Sequence, residues 1–369
     1  MTTSLPRRCC HAFAVALSLI SMLSPPLALA QSAETEEESK IELHGYFTQA
    51  YAKTDGLPVY GITRGGTFDY RVLALQARYN ITDNDQLVVQ SRYERNGASL
   101  LNTTSAEIQW AYYQHSFGNL TAQVGKAPIP DGLYNNLREV GTVLPFFRAP
   151  PNFYVIGIET VEGLVLTHSL PIKNWRLETS VYGGGILITF PFATPEGPEV
   201  THDRQDYDYG YQVWLETPIP GLRVGTQFQS FQASVSPTDT VRNWLFGGSL
   251  DGTFDRYYLR GEYQGLSLKK FAPSGGDELE HDWWAETGIK LTNALWLNTQ
   301  LAMSDINYPG RTYRWVDDRV IGVSYALNPH VVVKVEGHDH RGYDLDTYTD
   351  VTGPPDRTHF GIVSVSASF

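Results

Sequence analysis

The chain is built from one kind of short segment. About ten residues alternate apolar and polar side chains, turn residues follow, and the pattern recurs. Successive side chains of a strand point to opposite faces, so each segment has one apolar and one polar face. Sixteen segments can be traced, at approximately 41–52, 67–79, 86–95, 106–117, 119–127, 157–168, 174–188, 206–217, 221–232, 241–250, 254–265, 281–292, 295–303, 314–326, 330–338 and 357–369. After residue 40 no run of about 18 apolar residues occurs, so no transmembrane helix is expected, and little of the chain shows a 3.6-residue apolar period.

The connections alternate in length. Seven are tight: Asp83-Asn84-Asp85, Gly118-Asn119, Pro171-Ile172-Lys173-Asn174, Pro218-Ile219-Pro220-Gly221, Asp251-Gly252, Thr292-Asn293 and Asn328-Pro329. The eight between them are mostly longer and polar, for example 189–205, 266–280 and 339–356. Antiparallel strands with short turns at one rim and longer loops at the other describe an up-and-down transmembrane β-barrel. An even strand number puts both ends of the barrel on the short-turn side, here the periplasm.

The faces support an all-β barrel rather than a soluble sandwich, whose inner face is apolar. In 330–338, Val331, Val333 and Val335 would face lipid, while Lys334, Glu336 and His338 face the lumen. Tyr257, Leu259 and Tyr263 alternate with Arg256, Arg260 and Glu262, and Ile108, Trp110 and Tyr112 alternate with Glu107 and Gln109. Tyr46, Tyr79, Trp110, Trp175, Trp283 and Tyr325, near segment ends, suit aromatic girdles, although aromatics are also simply strand formers. An unpaired backbone group in hydrocarbon costs several kcal/mol, so only a closed ring serves every strand. Sixteen strands enclose a lumen wider than side chains fill.

Residues 1–30 read as a cleaved secretory signal: Arg7 and Arg8, an apolar stretch from Phe13 to Leu23, and Ala28-Leu29-Ala30 before Gln31. Cys9 and Cys10 precede the apolar stretch, which excludes a lipoprotein, and both leave with the signal. Their removal leaves 26 basic against 40 acidic residues, a net charge of −14 that argues against a nucleic-acid partner. Residues 31–40 form a short acidic leader with four glutamates, and 41–369 form the barrel domain. In 361–369, Val363, Val365, Ala367 and Phe369 share one face and Ser364, Ser366 and Ser368 the other.

The longest break, 128–153, is unusually apolar for a loop. Leu133, Leu137, Val140, Val143, Leu144, Phe146 and Phe147 call for burial. A loop of this length is usually functional. With its Gly125-Lys126, Pro128, Gly132-Leu133-Tyr134-Asn135 and Arg138-Glu139, and with the terminal strand ending on Phe369, the chain resembles the Gram-negative outer-membrane porins. Ala367 stands where that family more often carries an aromatic. The resemblance implies an infolded third external loop that narrows the channel, and a homotrimer in outer-membrane lipid and lipopolysaccharide.

Candidate lining residues are the loop's charges, Asp131, Arg138, Glu139 and Arg148, and inward-phase charges of the wall: Arg92, Glu94, Glu107, Arg176, Glu178, Arg223, Arg256, Arg260 and Glu262. Charges ringing a pore set its ion preference, whereas the plainer role is a ladder pair between strands, worth well under about 1 kcal/mol. His338-Asp339-His340 with Asp344, Asp346 and Asp350 offers metal ligands but also suits a solvated loop, as does Thr201–Asp206. The expected function is passive diffusion of small hydrophilic solutes and ions, with no cofactor and no covalent chemistry. A barrel lipid hydrolase and a plugged structural or adhesive barrel are the alternatives. No Gly-x-Ser-x-Gly elbow is present.

Overall fold

A computed structural model of the chain describes residues 40–99, 102, 105–154, 158–194, 197–236, 239–270, 276–308, 310–347 and 353–369. The signal reading of 1–30 and all of the leader but Lys40 lie outside the described residues. Sixteen strands follow one another: β1 (Ile41–Thr54), β2 (Thr67–Asn80), β3 (Asp85–Asn96), β4 (Glu107–Phe117), β5 (Leu120–Pro128), β6 (Thr160–Ile172), β7 (Trp175–Thr194), β8 (Gly197–Glu216), β9 (Leu222–Ser236), β10 (Asp239–Thr253), β11 (Tyr257–Leu268), β12 (Glu278–Lys290), β13 (Leu295–Tyr308), β14 (Arg311–Asn328), β15 (Val331–Gly342) and β16 (Asp356–Ser368). Each pairs antiparallel with its sequence neighbours, and β16 pairs with β1 to close the barrel. Among the described residues no helix is long and apolar enough to cross a membrane; α1 (Pro151–Tyr154) is a single turn.

Closure runs from Tyr46 opposite Ser368 to Thr54 opposite Phe360. The Gly45 amide donates to the Phe369 carbonyl at 3.1 Å, and the Phe369 amide to the Gly45 carbonyl at 3.0 Å. A Cβ at Gly45 would lie 2.6 Å from the Phe369 ring, so any larger residue would have to push that exposed terminal ring aside.

The wall has the expected two faces. Val363 is 47 % exposed and Leu259 48 %, both on the outward face, whereas Ser364 is 2 % and Lys334 1 % on the inward face. An apolar belt this extensive on the outside of a closed sheet is stable against lipid, not water.

Four sequence expectations are corrected. Residues 189–205 are not a loop: β7 runs to Thr194 and β8 starts at Gly197, taking in Thr201–Asp206. Much of the length assigned to that rim is therefore strand, and a hairpin satisfies its own backbone where a loop would not. Asp251 and Gly252 sit inside β10, and the turn falls at 254–256.

The third correction concerns β4. Val89 pairs with Ala111, Gln90 with Trp110 and Ser91 with Ile108, so Gln109 is an extra residue, a β-bulge. A one-residue insertion switches faces, so Ile108 points out at 49 % exposure while Trp110 is buried inward. Tyr112 joins Trp110 on the lumen side, and Tyr46 is inward as well, leaving Tyr79, Trp175, Trp283 and Tyr325 on the outward phase. Finally, Leu144, Phe146 and Phe147 are buried as expected of the long loop, but Leu137 and Val143 are exposed.

Candidate channel-lining site

The connection from β5 to β6 is the longest in the chain, and its bonds go to inward-facing groups around the ring. The Gly132 amide donates to Gln227 on β9 at 2.8 Å, and Leu133 donates to Glu262 on β11 at 2.8 Å. The Tyr134 hydroxyl bonds Glu286 on β12, and the Phe147 amide donates to Glu336 on β15 at 2.8 Å. Lys334 Nζ donates to the Phe146 carbonyl at 2.6 Å, and Thr142 Oγ1 to Ser368 Oγ at 3.1 Å. The small hydroxyls of β1 and β16 make room for this chain. A Cβ at Gly141 would lie 2.2 Å from Ser366 Oγ and 2.5 Å from Thr48 Oγ1. Gly132 has φ +60°, with Tyr154 and Glu262 against it, so it needs glycine's freedom as well as its size.

Apolar contacts reinforce the bonds. Tyr134 stacks on Trp284 at 5.4 Å between ring centres, in a cluster with Leu144, Phe153 and Ala302. Phe147 stacks on Tyr70 at 4.9 Å and packs with Leu345, Phe360 and Ile362, so the β5–β6 and β15–β16 connections and the wall share one core.

Five of the candidate charges converge. Arg92 on β3 bonds Glu139 in the loop, lies 2.8 Å from Glu107 on β4, and reaches Glu94 at 4.0 Å. Glu159, absent from the sequence candidates, completes the group: it accepts from Arg92 at 2.9 Å and faces Arg138 at 3.5 Å. Glu159 escaped notice because the segment traced at 157–168 placed it within a strand, whereas β6 begins one residue later. Burial raises Glu139 to about 8, with Glu94 and Glu159 adding to the rise and Arg92 opposing it. Burial also pushes Glu159 up, but Arg92, Arg138 and the amide of Gln109 outweigh it and bring the carboxyl down to about 2. Arg138 does not face open lumen. Its guanidinium donates to the carbonyls of Tyr154 at 2.7 Å and Ile158 at 3.2 Å and to Asn135, clamping the two legs of the loop.

The other candidates are dispersed. Arg148 lies over Tyr60 at 4.5 Å and Tyr70 at 5.8 Å, half-buried beside the Phe147 core. Arg260 bonds Asp251 at 3.0 Å and the Tyr134 hydroxyl at 2.9 Å, and Glu262 accepts from Leu133, Tyr154, Ser249 and Trp284. Arg223 pairs with Asp251 at 2.9 Å, and Arg176 with Glu216 at 3.6 Å. Glu178 is exposed on the lumen wall. Arg256 sits exposed in the turn before β11, not on the inward face of a strand.

Beneath the loop, in the short-turn half of the barrel, lies a cavity of about 700 Å³ walled by β1–β9 and residues 128–140. Asp131 lines it, and burial pushes this carboxyl up to about 6, partly offset by Arg138. In the His338-Asp339-His340 stretch, Asp339 turns outward to Arg357 at 2.7 Å. The two histidines turn inward to Asp318 and Asp344, each at 2.9 Å. Among the described residues no three His, Cys, Asp or Glu side chains are arranged to hold a metal ion, and Asp350 lies outside them.

No protein-family model matches the sequence, nor does any curated protein. Solved structures do resemble it. The outer-membrane channel DcaP of Acinetobacter baumannii superposes with a TM-score of 0.60 at 11 % identity, over 89 % of this chain and 97 % of that one. An anion-selective porin from Comamonas acidovorans gives 0.58 at 11 %, over 89 % and 99 %. The trimer form of OmpT from Vibrio cholerae gives 0.56 at 10 %, over 89 % and 99 %. The closed sixteen-stranded barrel of this chain therefore shares its fold with these proteins.

Proposed function

We propose that this barrel is an outer-membrane porin, a water-filled channel through which small hydrophilic solutes and ions diffuse passively. One observation carries the proposal. The closed sheet is apolar outward and polar inward, and the β5–β6 loop bonds to that polar inner face instead of extending into solvent. In this proposal the loop folds into the lumen and narrows it, and the Arg92–Glu139–Glu159 group anchors the narrowing. The polar wall replaces part of a solute's hydration while the apolar belt keeps lipid out, so selection is by width and by lumen charge. No bond is made or broken. The short turns face the periplasm, the chain is exported with cleavage after Ala30, and the barrel assembles as a homotrimer, a form described for one of the similar structures, the in-vitro folded OmpT.

The test is conductance of the purified protein in a planar bilayer with asymmetric salt. Stepwise, ohmic channels with a defined reversal potential are expected. A bilayer that stays at baseline would identify a plugged barrel. Lipid hydrolysis by the same preparation would point instead to an enzyme.

A further inference from the structure

The hairpin of β7 and β8 outgrows the rest of the wall. β7 keeps β6 as a partner only as far as Gly185, opposite Glu162, and β8 meets β9 only from Tyr209 on. Beyond those points the two strands pair with each other alone, from Ile186 opposite Gln205 to Thr194 opposite Gly197. Among the described residues neither outer edge of this ribbon has a strand beside it. From Gly185 to Thr194 it runs about 30 Å at the rise of a strand. A two-stranded ribbon is marginally stable by itself, so its posture depends on its root and on what its underside touches.

Both strands are irregular at the root. β7 carries three glycines in a row, Gly183, Gly184 and Gly185. Gly184 is required by crowding, since a Cβ there would lie 2.4 Å from the Glu162 carbonyl oxygen. Crowding does not account for the other two. A Cβ at Gly183 would find ordinary contacts at 3.5 Å, and the tightest contact of one at Gly185 would be the flexible end of Arg204 at 3.1 Å. Glycine weakens a strand interior, so two that packing does not demand mark a point where the backbone turns freely. On β8, Asp208 pairs with Gly184 and Gln205 with Ile186, so Asp206 and Tyr207 together face Gly185. Such a bulge bends its strand. Tyr207 within it sits at φ +60°, a left-handed conformation that a bulky residue rarely adopts. Free backbone on one strand thus lies opposite a built-in bend on the other.

The underside of the ribbon rests on the β5–β6 loop. Ile186 and Ile188, each 1 % exposed, cluster with Ala127, Ile129, Ile158 and Val161. Ile129 opens the loop and Ile158 lies two residues before β6, so these are its two legs. The legs are tied to the loop body, for Asn135 donates to the Ile129 carbonyl at 2.7 Å and Arg138 to the Ile158 carbonyl at 3.2 Å. A polar tie from ribbon to wall, Arg204 to Glu162 at 3.0 Å, lies at the surface and holds weakly.

We propose that the ribbon beyond Gly185 and Tyr207 is a hinged flap. Seated, its two isoleucines pin the legs of the β5–β6 loop. Lifted about the glycine root, it releases them and lets the loop shift. This rests on the channel function proposed above and adds to it a second conductance state, controlled from the long-loop rim.

The test is hydrogen exchange of the folded, full-length barrel in detergent, with single-channel recording beside it. In the wild type, hydrogen-bonded amides of 186–194 and 197–205 are expected to exchange roughly tenfold or more faster than those of 176–183 and 209–216 in the same strands. Gly183→Ala combined with Gly185→Ala stiffens the root and is expected to slow ribbon exchange severalfold. Ile188→Ala is expected to speed exchange roughly tenfold both in the ribbon and at the leg 129–135, and to raise the frequency of conductance transitions. Ile188→Val should act in the same direction with smaller amplitude, and it decides the matter if Ile188→Ala does not fold. Wild-type exchange at 129–135 in the folded Ile188 variant, or ribbon exchange indifferent to the two alanines, would overturn the flap. A barrel that exchanges as expected but passes no current would leave the hinge standing and refute the channel instead.

Discussion

Arg92→Ala is the sharpest perturbation of the loop anchor. Arg92 and Arg138 face the carboxylates of Glu94, Glu107, Glu139 and Glu159. Arg92 and Glu139 are each 11 % exposed at the side chain and Glu159 19 %, so the group is poorly screened. Removing one member of a buried ion pair costs about 3–5 kcal/mol, because the remaining charge is left uncompensated. Taking the lower end for the residual exposure, loop docking should weaken by about 3 kcal/mol, or roughly 10²-fold in its equilibrium. The assay is single-channel recording at pH 7.5 together with protease cleavage within 129–159 on the folded barrel. Frequent transitions to larger conductance and cleavage accelerated by up to about a hundredfold are expected. Acid should suppress the defect by protonating the freed carboxylates. In the wild type the two glutamates act in opposite directions. Glu139, raised from 4.5 to about 8, stabilises docking in its protonated form, and that contribution is lost as pH rises through this window. Glu159, lowered from 4.5 to about 2, contributes above 4.5 and fails as pH falls toward 2. Docking should therefore loosen both as pH rises toward about 8 and as it falls toward about 2. Wild-type traces and cleavage rates from Arg92→Ala at pH 7.5 would refute the anchoring role.

Two further substitutions probe the same frame. Lys334→Met and Glu336→Gln each remove or weaken a charge-assisted bond to the loop tip at Phe146 or Phe147, and each should destabilise the tip by about 1.5–3 kcal/mol, read as added open-channel noise. Gly45→Leu should overpack the closing seam against the Phe369 ring by about 1–3 kcal/mol, lowering the temperature at which the barrel loses its compact gel mobility. Pairing it with Phe369→Ala should return part of the loss, and no recovery would mean that the seam is not the cause.

The strand plan was legible because its signal is repeated. Each segment alternates on its own, and turn residues such as Gly118-Asn119 and Thr292-Asn293 confirm the spacing from outside the strands. The strand ends at the far rim were not legible. Residues 187–194 pair with 197–204, yet Pro191 and the run of polar residues read as loop because composition there reports solvent, not backbone pairing. The lumen charges were half legible. Phase assigned Arg92, Glu94 and Glu107 inward, but nothing local reveals that Glu139 and Glu159, 20 residues apart, return to one arginine. Arg138 illustrates the limit: a charged loop residue suggested a group facing solute, and the fold spends it on three oxygens of its own loop.

The bulge at Gln109 is where the alternation rule breaks and where the lumen gains its aromatic character. Up to Ile108 the β4 phase follows the sequence pattern; from Trp110 on it is reversed. No residue type announces this, since Gln-Trp-Ala-Tyr-Tyr reads equally well in either phase. What decides it is the partner strand. Val88 and Gln90 face inward on β3, Leu87 and Val89 outward, and only the shifted register sets Ala111 and Tyr113 beside the outward pair. With the bulge, Tyr113 meets lipid and Trp110 lies on the inward side. Without it, Gln109 would be the inward neighbour and Trp110 would displace lipid. Single cysteines separate the two registers. Cys at 110 or 112 should react with a water-soluble maleimide only through the channel. Cys at 108, 111 or 113 should resist that reagent and react with a lipid-soluble one. Labelling of position 110 from the lipid side would mean the strand runs in unbroken alternation.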